Sequence, residues 1–172
     1  MTTGPHQQGG PLQRPILIAY DGSPSSDHAI GEAGGLLVGR RALVVVVYKQ
    51  GIGFEMLELP TATIGLPPAP LDVRTALEVD DELAERSQKL AQKGAELARD
   101  AGFEPEALAV ADEVDTPVAE TIVNVAADRG AAAIVIGAHG HSRLSEVVLG
   151  STSRDVIRHA PCPVVIARPA QR

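Results

Sequence analysis

Residues 131–153 read AAAIVIGAHGHSRLSEVVLGSTS. An apolar run ends at Gly137, and glycines recur at 140 and 150 with serines at 151 and 153. A loop that only turned a corner would need one glycine. Gly137 lets the backbone leave a strand while staying close to a bound ring or sugar, and Gly140 permits a turn without a Cβ. Gly150 stands before a predicted helix, roughly Thr152 to His159, where free N–H groups and the helix dipole favour an anion. Ser151 and Ser153 add hydroxyls. A phosphate can thus be held without a lysine.

Outward from this stretch, short apolar runs alternate with longer amphipathic ones. Ile16–Tyr20 reads as a buried strand ending at Asp21. Ser23 is placed to cap the following helix, with Pro24 in its first turn and Ala29, Ala33, Leu36 and Leu37 on one face. Its three glycines, 31, 34 and 35, count against helix propensity. The β-branched run at 42–49 predicts a strand covered on both faces. Residues 50–70 lack periodicity and predict a mobile loop, a lid or a partner contact. A helical stripe then runs from 73 to 101 and stops at Gly102. A weaker, alanine-rich strand follows at 104–112. The next helix has Thr116 as its expected N-cap, Pro117 in its first turn, and its end at Gly130. Residues 131–137 form the fourth strand and 163–168 the last. Repeated strand–helix alternation predicts an α/β fold with a parallel sheet. Ligands of such sheets sit at the carboxyl ends of the strands. Asp21 and Gly137 both fall at such ends, so one crevice lined by both is the main expectation.

Composition narrows the function. The chain has 172 residues, enough for one domain without disulfides or metals. Its net charge of −7 and 2% aromatic content argue against nucleic acid or an anionic membrane as partner. One cysteine forms no intrachain disulfide, and no apolar run approaches the ~20 residues of a membrane span. The N-terminus shows no signal-peptide pattern. The expectation is a cytoplasmic protein with a disordered lead at 1–14 and one domain at 15–170.

The spacing G-x2-G-x9-G-S, formed by Gly137, Gly140, Gly150 and Ser151, resembles the nucleotide-binding pattern of the universal stress protein family. ILIAYDGSPSSDHAI resembles that family's opening strand, aspartate and helix, and HAPCPVVIAR its closing strand; the likeness runs from about Pro15 to Arg168. The resemblance implies an open, Rossmann-like, five-stranded parallel sheet of order 3-2-1-4-5 with helices on both faces. It also implies a homodimer and a bound ATP with Mg²⁺ or Mn²⁺, in the family's ATP-binding branch. Carried across, Asp21 contacts the ribose or orders the metal, and the backbone at Val47 pairs with adenine. Ile136 and Gly137 lie against base and ribose. Gly140, Gly150, Ser151 and Ser153 hold the phosphates, with Thr152 in the same set. Ala19 stands where some members have proline, a packing difference within the site. Val164–Ala167 is the expected dimer seam. These features together point to a dimeric, nucleotide-dependent switch or sensor in stress response, with at most slow ATP hydrolysis. A cyclic nucleotide is an alternative ligand, and a dimeric interaction module without nucleotide an alternative function.

Other groups carry less. His139 and His141 lack a third metal ligand at suitable spacing. Ser142 sits in an incomplete G-x-S-x-G pattern. Asp27-His28 is not the HxGH motif of nucleotidyl transferases. Cys162, between two prolines, reads as a packing residue rather than a redox sensor. Asp112, Glu113 and Asp115 form a solvated loop or rim the crevice. Asp80, Asp81, Arg86 and Lys93 read as the wet face of the long helix.

Overall fold

The structure is a computed structural model that describes residues 14–37, 39–52, 73–113, 115–138 and 149–168. The N-terminal lead up to residue 13, most of the 50–70 loop and Gly140 with residues 139–148 lie outside this range. In chain order the described elements are β1 (Ile16–Ala19), α1 (Pro24–Leu37), β2 (Arg41–Gln50), α2 (Val73–Asp100), β3 (Glu104–Glu113), α3 (Val118–Asp128), β4 (Ala133–Gly137), α4 (Ser151–His159) and β5 (Val164–Ala167).

The five strands form one sheet of order β3-β2-β1-β4-β5, with every neighbouring pair parallel. β1 is central because its four residues, ILIA, are all buried, as a strand covered on both faces must be. Alternation along the strands separates two cores. On one face Ile16, Ile18, Val44 and Val135 pack with Ala29, Ala33, Ala91 and Ala98 of α1 and α2. On the other, Leu17, Val45, Ile134 and Ile136 pack with Ala119, Ile122 and Val156 of α3 and α4. Small residues let the helices lie close to the sheet. Gly94 of α2 is one such place: a Cβ there would stand 2.7 Å from the Tyr20 ring.

Local expectations hold with two corrections. Ser23 caps α1 as predicted, its hydroxyl accepting from Ser26 N at 3.2 Å. Thr116 does not cap α3. Its amide donates to Glu113 O in the preceding turn, and the cap position falls to Pro117, at φ −65° and ψ 130°, with no side-chain cap bond. Glu120 N then finds Pro117 O at 2.8 Å, so the helix begins one residue later than the Thr-Pro pattern suggests. Arg14, expected in the disordered lead, is anchored. Its guanidinium donates to the carbonyls of Gly130 at 2.7 Å and Ala131 at 2.9 Å. Ion pairs Arg74–Glu78, Arg86–Glu82 and Lys89–Glu85 line the wet face of α2. Among the described residues no helix is long and apolar enough to cross a membrane.

Candidate functional site

β1 and β4 are neighbours, yet α1 leaves β1 on one face and α4 leaves β4 on the other. Their carboxyl ends therefore part, and a cleft of about 350 Å³ opens between them. Its apolar half is made by Ala19, Val45, Val47 and Ile136 from the strands, with Val118 and Ile122 of α3 as a wall. Its polar half is made by Asp21, Ser26, Gly137 and the Gly150–Ser153 segment. Of the residues singled out from sequence, Ala19, Asp21, Val47, Ile136, Gly137, Gly150, Ser151, Thr152 and Ser153 are brought together in its lining.

The polar half is preformed. Asp21 ends β1 and accepts Ser23 N on Oδ1 at 3.0 Å, a turn completed by Gly22 at φ +77°. α4 starts without a side-chain cap. Its first internal backbone bond is Arg154 N to Gly150 O at 3.1 Å, so the amides of Ser151, Thr152 and Ser153 have no intrahelical acceptor. Three donors at a helix N-terminus thus meet the cleft, and the lining holds no Lys or Arg among the described residues. Gly150 N is used differently, donating to Ala138 O at 2.9 Å, which ties α4 back to the exit of β4.

Two residues play parts other than those expected. Ser153 is 3% exposed, and its hydroxyl donates to Gly137 O at 2.8 Å. That proton braces strand against helix, which leaves the Ser153 amide, not the hydroxyl, as its donor toward the cleft. Packing against α1 by itself requires glycine at 137: a Cβ there would stand 2.5 Å from Ser25 Oγ and 2.9 Å from Ser25 backbone C and O.

The sequence reading missed Tyr20, Ser26, Val45, Val118 and Ile122 as lining residues. Val118 and Ile122 are spaced i, i+4 on α3, a signal available in the sequence but indistinguishable there from a core stripe. Tyr20 is buried, and its hydroxyl donates to Asp27 Oδ1 at 2.7 Å. Burial, that hydrogen bond and the charges of Asp27 and Asp21 push the phenol well above its ordinary value, so Tyr20 stays neutral.

Asp112 and Glu113, which form the end of β3, do not rim the cleft. They line a separate hollow with Gln50, Gly51, Ala111 and Thr116. Asp112 is also not a solvated loop residue: its side chain is 9% exposed and pairs with Lys49 Nζ at 3.2 Å. Burial opposes its ionisation, but hydrogen bonds from Thr121 and Lys49 and the Lys49 charge outweigh that, holding the carboxyl below the usual range. Cys162 is half-buried and packs beside the α3–α4 core; burial pushes its thiol up, against a smaller opposing effect of Arg14. No group of three His, Cys, Asp or Glu residues is placed to hold a metal among the described residues.

Known proteins share this architecture. The universal stress protein YxiE of Bacillus subtilis is 29% identical over 153 residues, covering 89% of this chain and 97% of its own. The solved structure of MJ0577 from Methanocaldococcus jannaschii superposes with a TM-score of 0.69 at 20% identity, covering 94% of this chain and 99% of that one. A universal stress protein from Archaeoglobus fulgidus, solved in complex with dAMP, superposes with a TM-score of 0.53 at 22% identity, covering 90% and 98%. Residues 62–168, more than half of the chain, match the universal stress protein family, and this chain is a member of that family.

Proposed function

We propose that the chain is a cytoplasmic, ATP-binding member of its family that acts as a dimeric, nucleotide-dependent switch. The observation that carries this is the division of one cleft into an apolar half and an end with three helix-start amides. An adenine ring fits the first, between Ile136 and the Val118–Ile122 wall, with the backbone at Val47 reading its edge. Phosphates fit the second, on the amides of Ser151, Thr152 and Ser153 and on the Ser151 hydroxyl, with Gly150 keeping the approach free of side chain. Gly140 belongs to the same proposed phosphate loop. Asp21 faces the ribose hydroxyls or a cation. The dAMP complex of the Archaeoglobus fulgidus protein supports an adenine nucleotide as the ligand class.

Mg²⁺ or Mn²⁺ fits only as an ion carried by the nucleotide. Among the described residues Asp21 is the single carboxylate at the cleft, and Mg²⁺ is commonly held by one or two carboxylates together with substrate phosphates. Hydrolysis is at most slow, because among the described residues at the cleft the amides position phosphate without a cationic side chain to stabilise a transition state. The β5 edge supports a homodimer seam at Val164–Ala167, since Val164, Val165 and Ile166 are half-buried on a strand with one neighbour.

Calorimetric titration with ATP, ADP and cyclic AMP, each with Mg²⁺, tests the reading. ATP at about 100-fold over Kd adds about 2.7 kcal/mol to stability, so it raises the melting temperature. Ser151→Pro is the sharpest variant. Proline is tolerated at the first helical position, and Gly150, at φ −57° and ψ 156°, already has the extended backbone a following proline needs. The substitution removes the Ser151 amide donor together with its hydroxyl and leaves the helix. ATP affinity falls while the unliganded melting temperature holds. Absence of heat and of a melting shift with all three nucleotides refutes the proposal.

A further inference from the structure

Lys49 and Asp112 stand at the carboxyl ends of β2 and β3, directly opposite each other in the strand register. The pair is largely withdrawn from water, with the side chains 23% and 9% exposed. Such a pair survives desolvation only with good geometry and further hydrogen bonds. Both are present. Lys49 Nζ has three protons and three acceptors: Asp112 Oδ2 at 3.2 Å, Glu113 O at 2.9 Å and Thr116 O. Asp112 Oδ2 also accepts the hydroxyl proton of Thr121 on α3.

Strand pairing does not require this cluster. β2 and β3 are already in register over ten residue pairs, from Arg41 opposite Glu104 to Gln50 opposite Glu113. What the cluster adds is a hold on the turn after β3 and on α3, whose N-terminus has no side-chain cap of its own. Lys49 grips the carbonyls of Glu113 and Thr116 on the way into the helix. Asp112 grips Thr121 inside it. The cleft wall is built from the flanking residues: Val118, two positions after Thr116, and Ile122, one after Thr121. The facing floor residue Val47 lies two positions before Lys49, on the same face of β2. The ionic cluster and the apolar half of the cleft are thus adjacent parts of the same three elements.

We propose that Lys49, Asp112 and Thr121 form a positioning clamp that fixes the separation between the Val118–Ile122 wall and the floor of the cleft, and so sets which base the cleft accepts. The choice of ligand rests on the nucleotide reading above; the clamp itself does not. Among the described residues the apolar half offers aliphatic side chains only, so a base is selected there by shape and by main-chain groups, and shape depends on where α3 sits. Letting α3 shift admits a larger or differently edged base without touching the phosphate end.

The test uses the full chain with Lys49→Met, which keeps length and removes charge, and Thr121→Val, which removes only the hydroxyl. Thr121→Ser serves as the variant that keeps the bond. Hydrogen exchange at Thr121 and Ile122 reads the clamp without any ligand: it quickens at least tenfold in Lys49→Met, less in Thr121→Val, and not in Thr121→Ser. Competition between ATP and GTP reads its consequence. The preference for ATP falls at least tenfold in Lys49→Met, while the ratio of ATP to ADP affinity is unchanged, because the α4 amides are intact. A uniform loss of affinity for all nucleotides marks a merely structural role and overturns the proposal. Unchanged exchange at α3 in folded Lys49→Met or Thr121→Val also overturns it. If the wild-type chain binds no nucleotide, the nucleotide reading fails and with it the base-selection claim, while the exchange measurement alone decides whether the clamp exists.

Discussion

Replacing Gly137 by alanine separates what the fold demands at this position from what a ligand demands. The new Cβ would lie 2.5 Å from Ser25 Oγ and 2.9 Å from both the carbonyl carbon and oxygen of Ser25. The hydroxyl can rotate away, but the backbone atoms belong to the first turn of α1 and cannot. Either α1 or the end of β4 must move by several tenths of an ångström. Overpacking of this kind costs about 1–3 kcal/mol. For a chain of this size each kcal/mol lowers the melting temperature by about 2–4 °C, so Gly137→Ala should melt about 2–12 °C lower. Scanning calorimetry without nucleotide measures this. The double variant Ser25→Ala/Gly137→Ala relieves the shortest contact and leaves the backbone contacts, so it should recover part of the loss and not all of it. A Gly137→Ala protein melting within about 1 °C of wild type would refute the reasoning, because the close approach of α1 to β4 would then be absent.

Gly31 gives the opposite sign. It lies exposed in α1, and a Cβ added there would meet nothing within 4 Å, so Gly31→Ala should raise stability by about 0.5–1 kcal/mol in urea denaturation. Ser153→Ala strips the buried Gly137 carbonyl of its donor and should cost about 1–3 kcal/mol by the same assay; a loss under about 0.3 kcal/mol would show that the brace is not formed. Asp112 makes stability depend on acid. Its folded-state value lies below the unfolded one, so its contribution is complete above about pH 4 and disappears as pH falls through the lower folded value. The melting temperature of Asp112→Asn should therefore fall less steeply than wild type below about pH 4, and parallel curves would refute the assignment. Cys162, with its thiol pushed up by burial, should be alkylated at pH 8 more slowly in the folded chain than after unfolding in urea.

Much of the fold was legible because its signals are local. Buried strands such as ILIA and β-branched runs such as VVVV announce themselves by composition, and caps such as Ser23 by position. The polar half of the cleft was legible for the same reason, since Asp21 and Gly150–Ser153 are each contiguous in sequence. The apolar wall was not. Val118 and Ile122 have the spacing of any buried helical stripe, and only the sheet order reveals that they face the gap between β1 and β4. The role of Gly137 was half legible. The sequence shows a glycine at a strand end, but the atom that excludes a side chain, on Ser25, lies 112 positions away along the chain. Asp112 was misread because its partners, Lys49 and Thr121, come together only through strand register and helix placement. Thr116 failed as a cap for a related reason: its carbonyl is engaged by Lys49 and its amide by Glu113 in the preceding turn, and the cap position moves to Pro117.

Under the nucleotide reading proposed above, an acidic chain that holds an anion faces a conflict, and the start of α4 resolves it. With a net charge of −7 the long-range field repels phosphate. Attraction must therefore come from local groups, and among the described residues at the cleft those groups are short in reach and fixed in placement. The first-turn amides of α4 meet both needs, because their dipoles act within a few ångströms and the helix sets their direction. A lysine in their place would attract from further away but would carry its own side-chain freedom into the site. The bracing bonds from Gly150 N to Ala138 O and from Ser153 Oγ to Gly137 O then acquire a purpose. They bind the start of α4 to the end of β4, so the amides keep their aim without help from a ligand and little ordering remains to be done when an anion arrives. Asp21 across the cleft opposes a bare phosphate and favours hydroxyls or a cation at the same end. Under the proposed reading the two sides together favour a nucleotide, which brings sugar hydroxyls and a metal with its phosphates, over the inorganic anions that share only its charge.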